Sequence, residues 1–201
     1  MAMAEREQFW SWFREHSAEL SAFETDRERV FEGLRAALQR VAPGLCFEIG
    51  SIEGGARDLV VSADGNRKLF PAVEALVAAA PGLPGWRIVP FRPRAKEGCS
   101  IQLGNVMLAT DDLWFASRQK APGQPIDLWL HIPGFVNPED KSRKQAAYIL
   151  LDSVIGEYDT EMKLGGIGFR VLPADPATAG LRPLRELTAV VDAAFPRSAA
   201  N

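Results

Sequence analysis

The chain has 201 residues, of which 47% are hydrophobic and 24% charged, and carries a formal charge of −3 from 23 Lys and Arg against 26 Asp and Glu. These are the proportions of an ordinary folded globular protein and argue against disorder, fibrous repeats or a disulfide-dense scaffold. The slight acidity gives no electrostatic reason to bind duplex nucleic acid or an anionic membrane, and no uncharged apolar run is long enough for a spanning helix.

Phe9, Trp12, Phe13, His16, Leu20 and Phe23 recur at three- and four-residue steps, which predicts a helix over 5–23. Glu5, Arg6, Glu7, Arg14 and Glu19 interrupt the same stretch, so it does not read as a secretory signal. Thr25 and Glu28 have the spacing of a capping box, and the stripe Val30, Leu34, Ala37, Leu38 and Val41 then runs to Pro43-Gly44. The helical N-terminal segment therefore covers 5–42. From there the period changes to two. Residues 45–50 and 57–64 read as a hairpin, Pro71 opens a helix that Pro81-Gly82 ends, and 86–91 is a strand. Together they make a ββαβ unit over 45–93.

Residues 101–110 read as one further strand bridging the two halves. Strands at 112–117 and 126–132 flank a polar turn, Asn137 is placed to cap a helix from Pro138 to Tyr158, and a strand follows at 167–172. This second ββαβ unit spans 112–173, and Leu184, Leu187, Val191 and Phe195 predict a C-terminal helix over 183–195. The expected architecture is one α+β domain over 1–201. Its continuous, mainly antiparallel sheet would be covered by helices on one face, with a duplication of the ββαβ unit left open.

The stretch "IGEYDTEMKLGGIGF" at 155–169 places Glu157, Asp159 and Glu161 at the end of the predicted helix, where the dipole disfavours acids. Tyr158 continues the stripe of Leu151 and Val154 and is expected to be buried, with Asp159 and Glu161 exposed or paired with basic side chains. Arg92 and Arg94 follow a strand and fall on one side if the extended chain continues through Pro93, where guanidinium forks suit a carboxylate or phosphate. They are candidates both for an anion site and as partners of the acids at 157–161. His131 alternates with Leu130 and Ile132 at a strand end, and no nucleophile motif accompanies it. Trp10 lies about 100° around the helix from Phe9, which offers a partner surface as the alternative to burial. Cys46 and Cys99, with two histidines, are too few for a disulfide framework or a Cys/His metal site, and "GGIG" at 165–168 opens a strand and not a phosphate-binding helix.

These residues predict a noncatalytic binding or regulatory protein of unknown ligand. The alternative is a small enzyme whose site gathers Arg92, Arg94, His131, Tyr158, Asp159 and Glu161. No cofactor or metal is expected, and the partner would be a protein or a small anionic ligand, with self-association as a further option.

The run from "LVVSADGNRKLFPAVEALVAAAPGLPGWRIVPFRPR" through "LLDSVIGEYDTEMKLGGIGF" resembles a family of bacterial proteins of about this length and of uncharacterised function. The resemblance covers most of the chain and implies a bacterial, cytoplasmic protein without an assigned reaction.

Overall fold

Alternation along a strand sends apolar side chains to one face of a sheet, and in both halves of this chain helices cover that face. The computed structural model describes residues 3–196, which divide into two units between Arg92 and Pro93, each with its own apolar core. The composition is α+β, with antiparallel strand pairs predominating over parallel ones.

In the first unit α1 (Met3–Glu15), α2 (Ser17–Ser21) and α3 (Arg27–Val41) precede β1 (Cys46–Glu53), β2 (Ala56–Ser62), α4 (Phe70–Ala78) and β3 (Trp86–Pro90). The sheet order is β1-β2-β3, antiparallel then parallel. Leu59 and Val61 of the central strand share a core with Phe9, Phe13, Leu34, Leu38, Val73 and Leu76. Gly54 and Gly55 adopt φ of 61° and 81°, so the hairpin turns in two residues and β1 and β2 run closer to it than the expected 45–50 and 57–64.

Two local expectations fail here. The helix predicted over 5–23 breaks at His16, whose ψ of 5° leaves the helical region and whose Nδ1 bonds to Trp12 O at 2.8 Å. The core then takes Trp10, which is 3% exposed and donates Nε1–H to Leu76 O at 3.0 Å, while Trp12 is partly exposed and stacks on His16. The partner-surface reading of Trp10 is thereby corrected: it is a core residue with its one polar atom satisfied. The capping box at Thr25 also does not form. Thr25 donates to Ala22 O within a 3-10 turn, and Asp26, which precedes α3, pairs with Arg29 at 2.6 Å.

The second unit contains β4 (Ser100–Leu103), β5 (Val106–Ala109), β6 (Trp114–Gln119), β7 (Ile126–Ile132), α5 (Lys141–Ile155), α6 (Glu157–Lys163), β8 (Leu164–Val171), β9 (Arg182–Pro183) and α7 (Leu187–Ala194). The strand expected over 101–110 is instead the hairpin β4-β5, turned at Gly104 with φ of 60°. The four-stranded sheet has the order β8-β7-β6-β9, with β7 and β8 parallel and the other pairs antiparallel. Its hairpin, crossover and parallel return repeat the topology of β1-β2-α4-β3. Ile126, Leu128, Leu130 and Ile132 are all at most 1% exposed and pack with Ala146, Leu150, Leu151, Leu184, Leu187 and Val191.

The single continuous sheet does not form: β1-β2-β3, β4-β5 and β8-β7-β6-β9 are separate. One cause is local. Phe91 has φ of 61°, rare for a bulky residue, and turns the chain out of the β3 ladder, and Pro93 has no N–H to extend it. The helix predicted from Pro138 to Tyr158 begins later and stops earlier. Asn137 accepts the Glu139 N–H in the preceding turn, Asp140 accepts the Arg143 N–H at 3.0 Å as the N-cap of α5, and Gly156 at φ of 83° ends that helix. The predicted helix over 183–195 is the shorter α7, because Arg182 and Pro183 pair with β6 first.

The Asp140 carboxyl is held below its ordinary 3.8 by the Arg143 N–H and then by the Arg143 guanidinium. A lowered folded pKa stabilises above the unfolded value and is lost as pH falls through the folded one. Asp140→Asn keeps a capping acceptor but has no charge to titrate. Wild type is therefore expected to exceed Asp140→Asn in stability at neutral pH, with the gap closing below about pH 4. A gap unchanged down to strong acid in denaturant melts would mean that the carboxylate charge is not its source.

Candidate functional site

At 157–161 the expectation fails for Tyr158 and holds for Asp159, which is paired with basic side chains. Tyr158 is 40% exposed, whereas Glu157 is 0% and Asp159 8% exposed. The cause is Gly156. Its left-handed conformation ends α5 and starts α6 in a new phase, so the stripe of Leu151 and Val154 does not continue through Tyr158. Glu157 and Asp159 fall in the first turn of α6, where a helix favours acids. The electrostatic mismatch expected of a helix C-terminus therefore does not arise.

Asp159 accepts from Arg94 Nη2 at 2.7 Å and from Lys163 Nζ at 2.8 Å. Arg94 also donates Nη1–H and Nη2–H to the two Asp192 oxygens at 2.9 and 2.8 Å, and Nε–H to Ile155 O at 3.1 Å. Its pKa is raised by the Asp192 hydrogen bonds, which act against partial burial and are joined by Asp159. Arg94 thus ties the break between α5 and α6 to α7, with its donors committed to those oxygens. The anticipated pairing of an acid of this stretch with a nearby arginine is seen between Asp159 and Arg94. Arg92 belongs to the first unit and donates to Glu48 Oε1 at 2.5 Å and Asp64 Oδ1 at 2.9 Å. Burial opposes the Arg92 charge, and the two carboxylates outweigh it. Glu161 lies close enough to Tyr148 for its charge to add to burial in raising that phenol's pKa.

His131 stands elsewhere, on the outer face of the four-stranded sheet. Its Nδ1 lies 2.9 Å from Val171 O, which can only accept, so that nitrogen carries a proton and donates it there. Period two places Trp114, Ala116 and Arg118 of β6, Asp127, Trp129 and His131 of β7, and Gly168 and Arg170 of β8 on this same face. Trp114 lies opposite His131, and Trp129 lies between Ala116 and Gly168. Both indoles are partly exposed, and neither is among the residues packed on the two cores. A Cβ at Gly168 would meet Trp129 Cδ1 at 2.9 Å, so only glycine leaves room for that indole over β8.

Positive charge lies beside the Trp129 indole. The Arg118 guanidinium carbon is 5.8 Å from the Trp129 ring centroid, and Arg118 and Lys120 each lie 3.7 Å from Asp127. Asp127 is held below its ordinary pKa first by the Gly166 N–H, and then by Lys120 and Arg118 against desolvation. The "GGIG" segment serves this face: at Gly165 a Cβ would meet Asp127 Oδ1 at 2.7 Å. Trp114, Arg118 and Arg170 were not singled out from the sequence. The signal was present in the alternation of "DLWFAS" and "IDLWLHI", which turns Trp outward wherever Leu and Phe turn inward.

A separate, open depression of about 480 Å³ is lined by residues including Ser117, Gln119, Arg182 and Val190, and by none of the six residues proposed for an enzyme site. Among the described residues no group of three or more His, Cys, Asp and Glu is placed to hold a metal ion, and no helix is long and apolar enough to cross a membrane. Compared with known proteins, the chain matches no family model, no curated protein and no solved structure.

Loss of the Asp159 carboxylate leaves Arg94 and Lys163 short of a partner in a mostly buried setting. Asp159→Ala is expected to cost about 3 kcal/mol, and Tyr158→Ala, at an exposed position, about 0.5 kcal/mol. Urea melts of the two variants check this order. The reverse order would mean that Tyr158, and not the ion pair, secures α6.

Proposed function

We propose that this is a noncatalytic binding protein whose ligand lies on the outer face of β6, β7 and β8, against Trp114, Trp129 and His131. The observation that carries the reading is that two tryptophans project from a sheet face while belonging to neither core. Leaving large aromatics partly in water forgoes their burial, and such side chains concentrate where a partner later covers them.

The enzyme alternative draws less support. Arg94 and Asp159 are committed to each other and to Asp192 and Lys163, Arg92 is engaged by Glu48 and Asp64, and Tyr158 is on the surface. Of the six residues only His131 lies on the aromatic face, with no hydroxyl or thiol nucleophile among the outward residues of β6, β7 and β8 opposite it. The cytoplasmic setting of a bacterial protein belongs to the same proposal, supported by a cysteine content too low for a disulfide framework.

The test is a screen of nucleotides, oligonucleotides, organic anions and peptides by tryptophan fluorescence and thermal shift. It uses wild type and the Trp114→Ala, Trp129→Ala double variant. A binding protein of this kind is stabilised by at least one ligand class that leaves the folded double variant unchanged. Equal stabilisation of both, or turnover of a screened compound, would defeat the reading.

A further inference from the structure

The chemistry of this face also points to what it binds. We infer that the ligand is single-stranded nucleic acid, an inference that rests on the outer face being the binding surface. Trp114 and Trp129 sit on neighbouring strands, two residues apart in register, because Trp114 pairs with His131 and Trp129 with Ala116. Diagonal neighbours of this kind stand about 7–8 Å apart, which is room for two bases, each on its own indole. Ala116 on one side and Gly168 on the other are the smallest residues available, so neither neighbouring strand walls off the Trp129 ring. His131 extends the row beside Trp114 with a third planar ring.

The charges select an anionic aromatic ligand over a neutral one. Arg118 on β6 and Arg170 on β8 lie on either side of Trp129, and Lys120 follows beyond Arg118. Asp127 is the one acid on these outward positions, and its carboxylate is engaged by the Gly166 N–H. Arg118 is 65% exposed at 3.7 Å from Asp127, a loose contact that a phosphate could replace at little cost. Bases can reach the indoles only when unstacked and unpaired, and the overall charge of −3 offers a duplex no broad basic surface. The single strand is therefore favoured.

The experiment titrates the full chain into fluorescently labelled oligo-U and oligo-dT of about ten nucleotides, within the span such sheet platforms occupy. A duplex of equal length is the control, at about 50 and 200 mM salt. Single strands are expected to bind with quenching of tryptophan emission, and more tightly than the duplex. Trp129→Ala should weaken binding about ten- to hundred-fold. Arg118→Glu and Arg170→Glu, at exposed positions that keep the fold, should weaken it further and flatten the salt dependence.

No binding of either single strand at the lower salt, or equal affinity for the duplex, overturns the inference. Binding that survives all three substitutions in folded protein overturns it as well. If oligonucleotides fail while an organic anion or peptide binds wild type and is lost in Trp129→Ala, the binding face stands and its nucleic-acid assignment falls. Should Trp129→Ala fail to fold, Trp129→Phe with Arg118→Glu decides: retained affinity in that folded variant counts against the inference.

Discussion

The second unit depends on the strict alternation of β7. Its even-numbered apolar residues, Ile126, Leu128, Leu130 and Ile132, are all at most 1% exposed, and in a pleated strand this fixes the direction of every residue between them. Asp127, Trp129 and His131 must then point away from the core. A slip of one residue would put Trp129 and His131 inside and the aliphatic row in water, so the core that holds the unit together also dictates the candidate site. The parallel neighbour β8 is locked by the same register, Leu128 beside Ile167 and Leu130 beside Phe169.

The glycines of β8 show how much that face is shaped. Glycine within a strand weakens it, because it adds no packing and loses more conformational freedom on folding. At Gly165 and Gly168 a side chain would collide with Asp127 and Trp129. The strand accepts that cost so that the carboxylate and the indole can lie across it. Gly50 in the first unit is a milder case, with Asp58 Cβ 3.3 Å from where its own Cβ would stand, so close approach over the strand neighbouring the hairpin's Asp recurs in both units.

The elements whose residues alternate or recur without interruption were legible in the sequence: α3, α4, β2, β3 and β7 lie close to where periodicity puts them. What was not legible turns on single residues with unusual backbone angles. Gly104 converts one apparent strand into a hairpin, Gly156 splits one apparent helix into two, and Phe91 takes a left-handed turn that no pattern of a large aromatic residue announces. The Gly156 break alone put Tyr158 on the surface and Asp159 in a mostly buried ion pair. Periodicity assumes a constant phase, and a phase reset inside an apolar stripe moves every later residue to a new face. Trp10 lies before the break at His16, and was misplaced because the stripe was fitted through His16, Leu20 and Phe23, which lie beyond the end of α1.

The charged residues divide into two kinds, and the division separates what holds the fold from what is left for a ligand. Arg57 is 7% exposed and donates to Ser21 O, Gly50 O and Glu24, and Arg94 donates to Ile155 O, Asp159 and Asp192. A guanidinium taken out of water must meet its donors with acceptors, and both are met by backbone carbonyls as well as carboxylates. Such residues are fixed parts of the scaffold, and a ligand would have to break those bonds to use them. Arg118 makes only the loose 3.7 Å contact and keeps most of its surface in water beside an indole. A cation with that freedom can change partners without unravelling anything, which the buried arginines cannot. The distinction therefore separates an exchangeable cation on the aromatic sheet face from the structural ion pairs around Arg94, although the sequence shows both as arginine near acid.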